Sequence, residues 1–275
     1  MKKILITGGA GFIGSCLADK LMQNPNYKVV MVDNMLTGHK ARLQESNEDS
    51  NWRFIHADCN NYTDISAVMM AYRFDYVFHY AAVVGVQRTL EHPKLVLDDI
   101  QGIRNILDIA KSTNVKRVFF ASSSEVYGEP DSNPINENQS TKGKTVYGVT
   151  KIAGEELTKG YNQKYPSMNF SIVRFFNTYG EGQVAQFVIT KWVLGVLKGE
   201  NPVVYGDGRQ LRSYGHVEDV IEGLKLILQN PISNGKTYNL GNSSQIKTLS
   251  ELAQLVIDIV APSKELNVEI LESFD

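Results

Sequence analysis

Tyr147 and Lys151 stand four residues apart in a stretch of helical spacing, so both project from one face near the start of a helix. A tyrosine hydroxyl ordinarily titrates at about 10, too high for a base at neutral pH, and a neighbouring ammonium would stabilise its phenolate. Such a pair can take a proton from an alcohol as the alcohol is oxidised. It can equally be an amphipathic pair on a surface helix. A second polar group follows the apolar run Val118, Phe119, Phe120, where residues 121–128 read Ala-Ser-Ser-Ser-Glu-Val-Tyr-Gly. Three hydroxyls and a carboxylate at the end of a buried strand put polar atoms where a core excludes them, which marks a site. A serine-rich turn with a solvated Glu125 is the plainer reading.

These residues need a scaffold, and the amino-terminal stretch begins one. Ile4, Leu5 and Ile6 form a short apolar run typical of a strand buried on both faces, and Thr7-Gly-Gly-Ala-Gly-Phe-Ile-Gly14 follows at once. Glycines at 8, 11 and 14 allow a tight turn, close approach of a pyrophosphate, and close packing of the next helix, expected over residues 12–22. A second strand over residues 28–32 ends at Asp33, whose carboxylate is placed to accept hydrogen bonds from ribose hydroxyls and to repel a 2′-phosphate. These features predict a dinucleotide site, with NAD favoured over NADP. Strands near 53–56, 76–79, 117–121 and 170–174 alternate with helices near 63–72, 93–111 and 146–165. That alternation predicts an α/β fold with a doubly wound, Rossmann-type parallel sheet whose ligands sit at the carboxyl ends of the strands. Beyond Asn177 the alternation weakens, with helices near 186–197, 217–229 and 249–260 and a Gly-rich turn at 206–208. The expected division is a cofactor domain over 1–176 and a smaller substrate lobe over 177–275.

At 275 residues the chain can bury a full core, and its 43% hydrophobic and 21% charged residues are ordinary for a globular protein. A formal net charge of −2 gives no electrostatic reason to expect nucleic acid or an anionic membrane as partner, so phosphate binding must be local. Cys16 and Cys59 lack CxxC spacing, which argues against a disulfide framework or zinc and for a reduced, cytoplasmic setting. Lys2 and Lys3 precede an apolar run that stops at Thr7, too short for a signal peptide, and no apolar stretch of about 18 residues exists to span a membrane. His79 reads as a core histidine, His216 is ambiguous, and neither has metal-ligand company. No metal is assigned.

Together these residues resemble the short-chain dehydrogenase/reductase superfamily, specifically its extended branch of nucleotide-sugar epimerases, dehydratases and decarboxylases. The resemblance spans nearly the whole chain: the glycine-rich stretch 7–14, Asp33, Asp58, His79-Tyr-Ala-Ala82, Ser122-Ser-Ser-Glu-Val-Tyr-Gly128, Tyr147-Gly-Val-Thr-Lys151 and Arg174-Phe-Phe-Asn-Thr-Tyr-Gly180. It implies that Gly8, Gly11, Phe12, Ile13, Gly14, Asp33 and Asn34 bind NAD, that Asp58 contacts the adenine, and that Ala81 and Ala82 line the cofactor channel. It implies that Ser123 and Tyr147 share the sugar C4 hydroxyl, that Lys151 also binds the nicotinamide ribose, and that Asn177 and Arg212 hold a nucleotide diphosphate. A guanidinium suits that last task because one fork binds two phosphate oxygens. The chain departs from the family pattern at Asp99, where many relatives carry Asn. It is also short between Gly180 and Phe187 and lacks an Arg-Arg-x-Pro-Asp segment, which implies a reduced substrate lobe or residues missing near 183–184 and after 275.

Members of this branch oxidise the sugar, usually at C4, and then diverge. A 4-epimerase rotates the keto sugar and needs no further acid or base. A 4,6-dehydratase removes the C5 proton and expels the C6 hydroxyl, and a decarboxylase releases C6 as carbon dioxide. Ser124 and Glu125 sit where these subclasses differ: a carboxylate at 125 resembles dehydratases and uronate decarboxylases, whereas Ser124 replaces the Asp of glucose-type dehydratases. The resemblance therefore leans to decarboxylase or 4,6-dehydratase chemistry on a UDP-, GDP- or dTDP-linked sugar. A UDP-sugar 4-epimerase is the alternative, and a non-catalytic NAD-binding regulator is the alternative of another class. It further implies a homodimer built on the helices at 93–111 and 146–165.

Overall fold

The computed structural model describes residues 1–45, 50–244 and 246–272, and the chain forms two compact units, one of Met1–Phe175 with Glu218–Leu240 and one of Phe176–Val217 with the residues from Gly241 onward. The first unit opens with β1 (Lys2–Thr7), α1 (Phe12–Met22), β2 (Tyr27–Asp33), β3 (Trp52–His56), α2 (Tyr62–Tyr72) and β4 (Tyr76–His79). It continues through α3 (Val86–Glu91), α4 (Pro93–Ser112), β5 (Arg117–Ser123), a 3-10 turn (Ser124–Tyr127), α5 (Val146–Lys164) and β6 (Asn169–Phe175). Next come β7 (Thr178–Tyr179), α6 (Val188–Lys198), β8 (Val203–Tyr205), β9 (Leu211–Ser213) and β10 (Gly215–His216). The remaining elements are α7 (Val217–Gln229), β11 (Lys236–Leu240), β12 (Ile246–Thr248), α8 (Leu249–Val260) and β13 (Glu269–Leu271).

The sheet of the first unit has seven strands in the order β11-β6-β5-β4-β1-β2-β3, every pair parallel. The order reverses between β1 and β4, the switch point at which a doubly wound sheet leaves a crevice at the strands' carboxyl ends. Thr7, Asp33, His79, Ser123 and Phe175 are the last residues of β1, β2, β4, β5 and β6. The apolar runs that predict buried strands are buried on both faces: Ile4, Leu5 and Ile6 in β1, and Val118, Phe119 and Phe120 in β5. On one face Phe119 stacks on Phe78 with ring centroids 4.2 Å apart. On the other, Leu5, Val77 and Phe120 pack against Ile103, Ile106 and Leu107 of α4. Each such side chain contributes about 1.5–3 kcal/mol of burial.

The stretch 177–275, expected as one lobe, is interrupted by β11. Its five residues pair in register with β6, from Lys236 opposite Ser171 to Leu240 opposite Phe175, which returns Glu218–Leu240 to the first unit. The second unit has its own core, with Trp192 and Val196 of α6 against Ala253, Val256 and Ile257 of α8. Its strands form three pairs, β7 with β10, β9 with β12 and β8 with β13. Thr248 and Glu251 close a reciprocal capping box at the start of α8.

Candidate active site

The glycine-rich stretch turns from β1 into α1 at the switch point. Gly8 has φ +70°, and a Cβ there would lie 2.8 Å from the backbone nitrogen of Ala81, so the turn closes directly on the loop after β4. A Cβ on Gly14 would collide with the Gly8 carbonyl, which lets α1 pack onto the turn. Thr7 fastens the same loop: its hydroxyl accepts from the backbone N–H groups of Tyr80 (3.1 Å) and Ala81 (3.2 Å) and hydrogen-bonds His79 Nδ1 at 2.9 Å. His79 is buried, and burial first, then the Lys151 charge, drives it down to about 3, so it is neutral. It is the satisfied core histidine that its position after an apolar strand suggests.

Asp33 is 8% exposed and does more than the sequence implies. Its Oδ2 accepts from Ala10 N at 3.0 Å and its Oδ1 from Met35 N at 2.8 Å, so the carboxylate ties the glycine-rich turn to the end of β2. Asn34 Nδ2 donates to Asp58 Oδ2 at 3.2 Å, and Asp58 Oδ1 accepts from Asn60 N at 2.8 Å, placing these candidate cofactor residues together. Arg42, not singled out in the sequence, donates from Nη1 to the Ala10 carbonyl at 3.1 Å.

A dinucleotide fits these groups. The first turn of α1, which holds Phe12 and Ile13, has no side-chain cap and no acidic residue, so its backbone N–H groups and dipole suit an anion. A carboxylate offers about four lone-pair sites, so Asp33 keeps acceptor capacity beyond its two backbone bonds. Ala81 and Ala82 leave small walls where the loop after β4 meets the turn.

β5 runs two residues further than the apolar pattern predicts, so Ser122 and Ser123 lie in the strand and Ser124 opens the 3-10 turn. Ser123 caps that turn, its Oγ accepting from Glu125 N at 3.2 Å. Ser123 and Ser124 are half-buried and Glu125 is exposed. Thr145 caps α5 by accepting from Gly148 N at 3.0 Å, which starts the helix one residue before Tyr147. A Cβ at Gly148 would lie 2.8 Å from the Glu125 carbonyl, so only glycine lets the first turn of α5 sit on the 124–127 turn. That contact sets the first turn of α5, which carries Tyr147, against the turn that Ser123 caps.

Lys151 is 4% exposed, its Nζ 5.5 Å from the Tyr147 ring centroid and 5.3 Å from that of Phe120. Burial lowers it to about 8 while the Asp99 carboxylate raises it. Spacing alone suggests that the ammonium depresses the Tyr147 phenol. The structure differs: burial raises the phenol above its ordinary range, the Ser123 hydroxyl lowers it, and the Asp99 and Glu125 charges raise it further. The ammonium lies over the ring face. Asp99 keeps α4 in touch with the site, its Oδ2 accepting from Val83 N at 2.8 Å. Burial raises Asp99, opposed by that bond, by Lys151 and by Asn60.

In the second unit, Asn177 Nδ2 donates to the Ser213 carbonyl at 3.0 Å, and Gly215 N donates to the Asn177 carbonyl at 3.1 Å. This sets Asn177 beside β9, where Arg212 is exposed with Nη1 donating to the Leu211 carbonyl at 2.9 Å. Lys247 of β12 lies directly opposite Arg212 in the antiparallel register. Among the described residues there is no group of three or more metal-ligating side chains, and no helix is long and apolar enough to cross a membrane.

Two residues given no role from the sequence complete the neighbourhood. Glu155, one helical turn past Lys151, and Arg174, at the head of the Arg174–Gly180 motif, form a buried pair behind Ser122. A glutamate continuing the 147, 151, 155 stripe of a helix is the signal that could have found them.

Residues 4–241 match the family described as NAD dependent epimerase/dehydratase. A Methanocaldococcus jannaschii protein named provisionally as a UDP-glucose 4-epimerase is 36% identical over 238 residues, 84% of this chain and 75% of that protein. The UDP-N-acetyl-alpha-D-glucosaminuronate decarboxylase of Bacillus cytotoxicus is 33% identical over 276 residues, 96% of this chain and 82% of that enzyme. Among solved structures, the UDP-glucuronic acid 4-epimerase of Bacillus cereus in complex with UDP-glucuronic acid and NAD superposes with a TM-score of 0.89 at 28% identity, covering 98% of this chain and 86% of that one.

Proposed function

This chain belongs to the NAD-dependent epimerase/dehydratase family, and from that premise we propose that it is a nucleotide-sugar lyase, a decarboxylase or 4,6-dehydratase acting on a UDP-linked sugar oxidised transiently at C4. The observation that carries the reading is the seating of the first turn of α5, with Tyr147, on the turn that Ser123 caps, beside a buried Lys151 and with a carboxylate at Glu125 on that same turn. NAD would supply the hydride acceptor and donor and a positive charge on its ring. The glycine-rich turn with Phe12 and Ile13, together with Asp33, Asn34, Asp58, Ala81 and Ala82, holds it. Tyr147 takes the proton from the C4 hydroxyl at its phenolic oxygen, and Ser123 orients that hydroxyl. Lys151 keeps the charge balance beneath the ring and binds the nicotinamide ribose. Once C4 is a ketone, in the dehydratase Glu125 and Ser124 take the acidic C5 proton and protonate the departing C6 hydroxyl; in the decarboxylase the ketone takes the electron pair as carbon dioxide leaves, and they return a proton to C5. Asn177 and Arg212 hold the diphosphate, Arg212 as a bidentate fork.

A UDP-sugar 4-epimerase is the second reading. It is favoured by the similarity to the M. jannaschii protein and the B. cereus enzyme, and it would leave Glu125 without a proton to move. One experiment separates them: incubation with UDP-glucuronate, UDP-glucose, UDP-N-acetylglucosamine, GDP-mannose and dTDP-glucose, read by mass and NMR. Loss of carbon dioxide or of water supports the lyase. Inversion without mass change supports the epimerase, and NAD binding without turnover of any sugar supports a regulator that has kept the fold. We also propose a homodimer through α4 and α5, whose outer faces expose Leu97 and Val149; a monomer by light scattering at high concentration would refute it.

A further inference from the structure

We propose that Glu155 and Arg174 are positioning residues: their buried pair ties α5 to β6, and the bond from Ser122 to Glu155 ties it to β5, so that Tyr147 faces Ser123. Glu155 is 1% and Arg174 3% exposed. Arg174 donates from Nε to Glu155 Oε1 at 2.8 Å and from Nη2 to Oε2 at 2.7 Å, a two-pronged contact that fixes distance and rotation together. The remaining bonds lead to elements that carry candidate site residues. Ser122, next to Ser123, donates to Glu155 Oε1 at 2.6 Å. Arg174 Nη1 donates to the Tyr127 hydroxyl at 2.7 Å and to the Glu137 carbonyl at 3.1 Å. The Tyr127 hydroxyl, which closes the turn bearing Glu125, donates to Asn239 Oδ1 of β11 at 2.6 Å. From the surface, Lys159 Nζ approaches Glu155 Oε2 at 3.6 Å. Glu155 itself stands one turn past Lys151 and two past Tyr147 on one helix.

Stability is a weak reason for this arrangement, because well-packed apolar residues often replace a buried ion pair without loss. An apolar pair, however, has no direction and would let α5 rotate or slide on β5 and β6. A shift of about 1 Å at a reacting group can cost roughly 100-fold in rate. The pair therefore selects one register among several that a greasy contact would permit.

The inference rests on the proposed roles of Tyr147 and Ser123, and its test separates the two. The variants are the double substitution Glu155→Leu with Arg174→Met, which removes both charges, and Ser122→Ala, which removes one bond and keeps the pair. Circular dichroism and bound NAD content report the fold. Tyrosine 13Cζ resonances report the Tyr147 phenol, assigned by its disappearance in Tyr147→Phe and by the Ser123→Ala spectrum. Turnover is followed on whichever panel sugar the unaltered protein converts. The double variant is expected to fold and retain NAD, to lose roughly 100-fold in kcat with KM within about threefold, and to show the Tyr147 resonance moved toward its Ser123→Ala position. Ser122→Ala is expected to move both readouts the same way by a smaller factor. Unchanged kcat and resonance in either folded variant would overturn the proposal. If the unaltered protein converts no sugar, the functional reading fails, and the resonance still decides the positioning role.

Discussion

Replacing Asp33 by asparagine tests whether this carboxylate serves the cofactor alone or the fold as well. Both carboxylate oxygens accept from backbone N–H groups, Ala10 at 3.0 Å and Met35 at 2.8 Å, and the residue is 8% exposed. Asparagine keeps the shape but presents one acceptor oxygen and one NH2, so one of the two backbone donors faces another donor. A hydrogen bond to a charged group is worth about 1.5–3 kcal/mol, and a stranded buried donor costs about 1–3 kcal/mol; the two overlap, for a combined loss of about 2–4 kcal/mol. In a domain of this size each kcal/mol moves Tm by about 2–4 °C, so a fall of roughly 4–16 °C is expected in protein stripped of NAD. The assay is calorimetry on stripped Asp33→Asn and unaltered protein, with and without NAD at about 100 times its Kd, where the ligand itself adds about 2.7 kcal/mol. If Asp33 only reads the ribose, the stripped proteins will melt together and differ only after NAD is added. That result would refute the dual role.

Tyr147→Phe is expected to retain the fold and bound NAD while turnover falls by about 100- to 10,000-fold, the usual span for a lost acid–base group; turnover at the unaltered rate would remove Tyr147 from the mechanism. Asp99→Asn should displace the pH profile of kcat toward lower pH. Lys151, held at about 8 with Asp99 raising it, loses that support, so the limb lost as pH rises moves down. The Tyr147 phenol, which the Asp99 charge also raises, becomes easier to ionise, so the limb gained as pH rises moves down with it. A profile that stays in place would show that Asp99 does not govern either group. Under the proposed role of Arg212, Arg212→Ala should raise KM for a nucleotide sugar about tenfold or more with kcat little changed, because a diphosphate contact acts in ground and transition states alike.

Much of the scaffold is legible because burial on both faces leaves a plain mark. Ile4, Leu5 and Ile6, and Val118, Phe119 and Phe120, are uninterrupted apolar runs, and both form central strands. The strand at Lys236–Leu240 carries no such mark: Lys-Thr-Tyr-Asn-Leu mixes polar and apolar residues at the edge of the sheet, and only its pairing with β6 defines it. The spacing of Tyr147 and Lys151 correctly puts them on one face. Spacing says nothing about desolvation, however, and burial rather than the ammonium sets the direction in which the phenol moves. The second task of Asp33 and the Glu155–Arg174 pair are hidden for a related reason, since they join residues 23 and 19 positions apart through contacts that exist only in the fold.

Under the proposed chemistry, Glu125 is where one scaffold would keep the oxidation constant and vary the fate of the keto sugar. Its backbone is fixed from both sides: the N–H donates to Ser123 Oγ at 3.2 Å, and the carbonyl lies under Gly148 at the start of α5. Moving that backbone would unseat the first turn of α5, which carries Tyr147, from the 124–127 turn. Its side chain is exposed and leaves that packing undisturbed. A substitution at 125 therefore changes the acid–base equipment on the turn while leaving the Ser123–Tyr147 contact intact. Under the proposed chemistry, Glu125→Gln should spare reduction of bound NAD at 340 nm on mixing with sugar while slowing release of carbon dioxide or water. Equal loss of both would place Glu125 in the oxidation step and remove the basis for separating the two reactions at this residue.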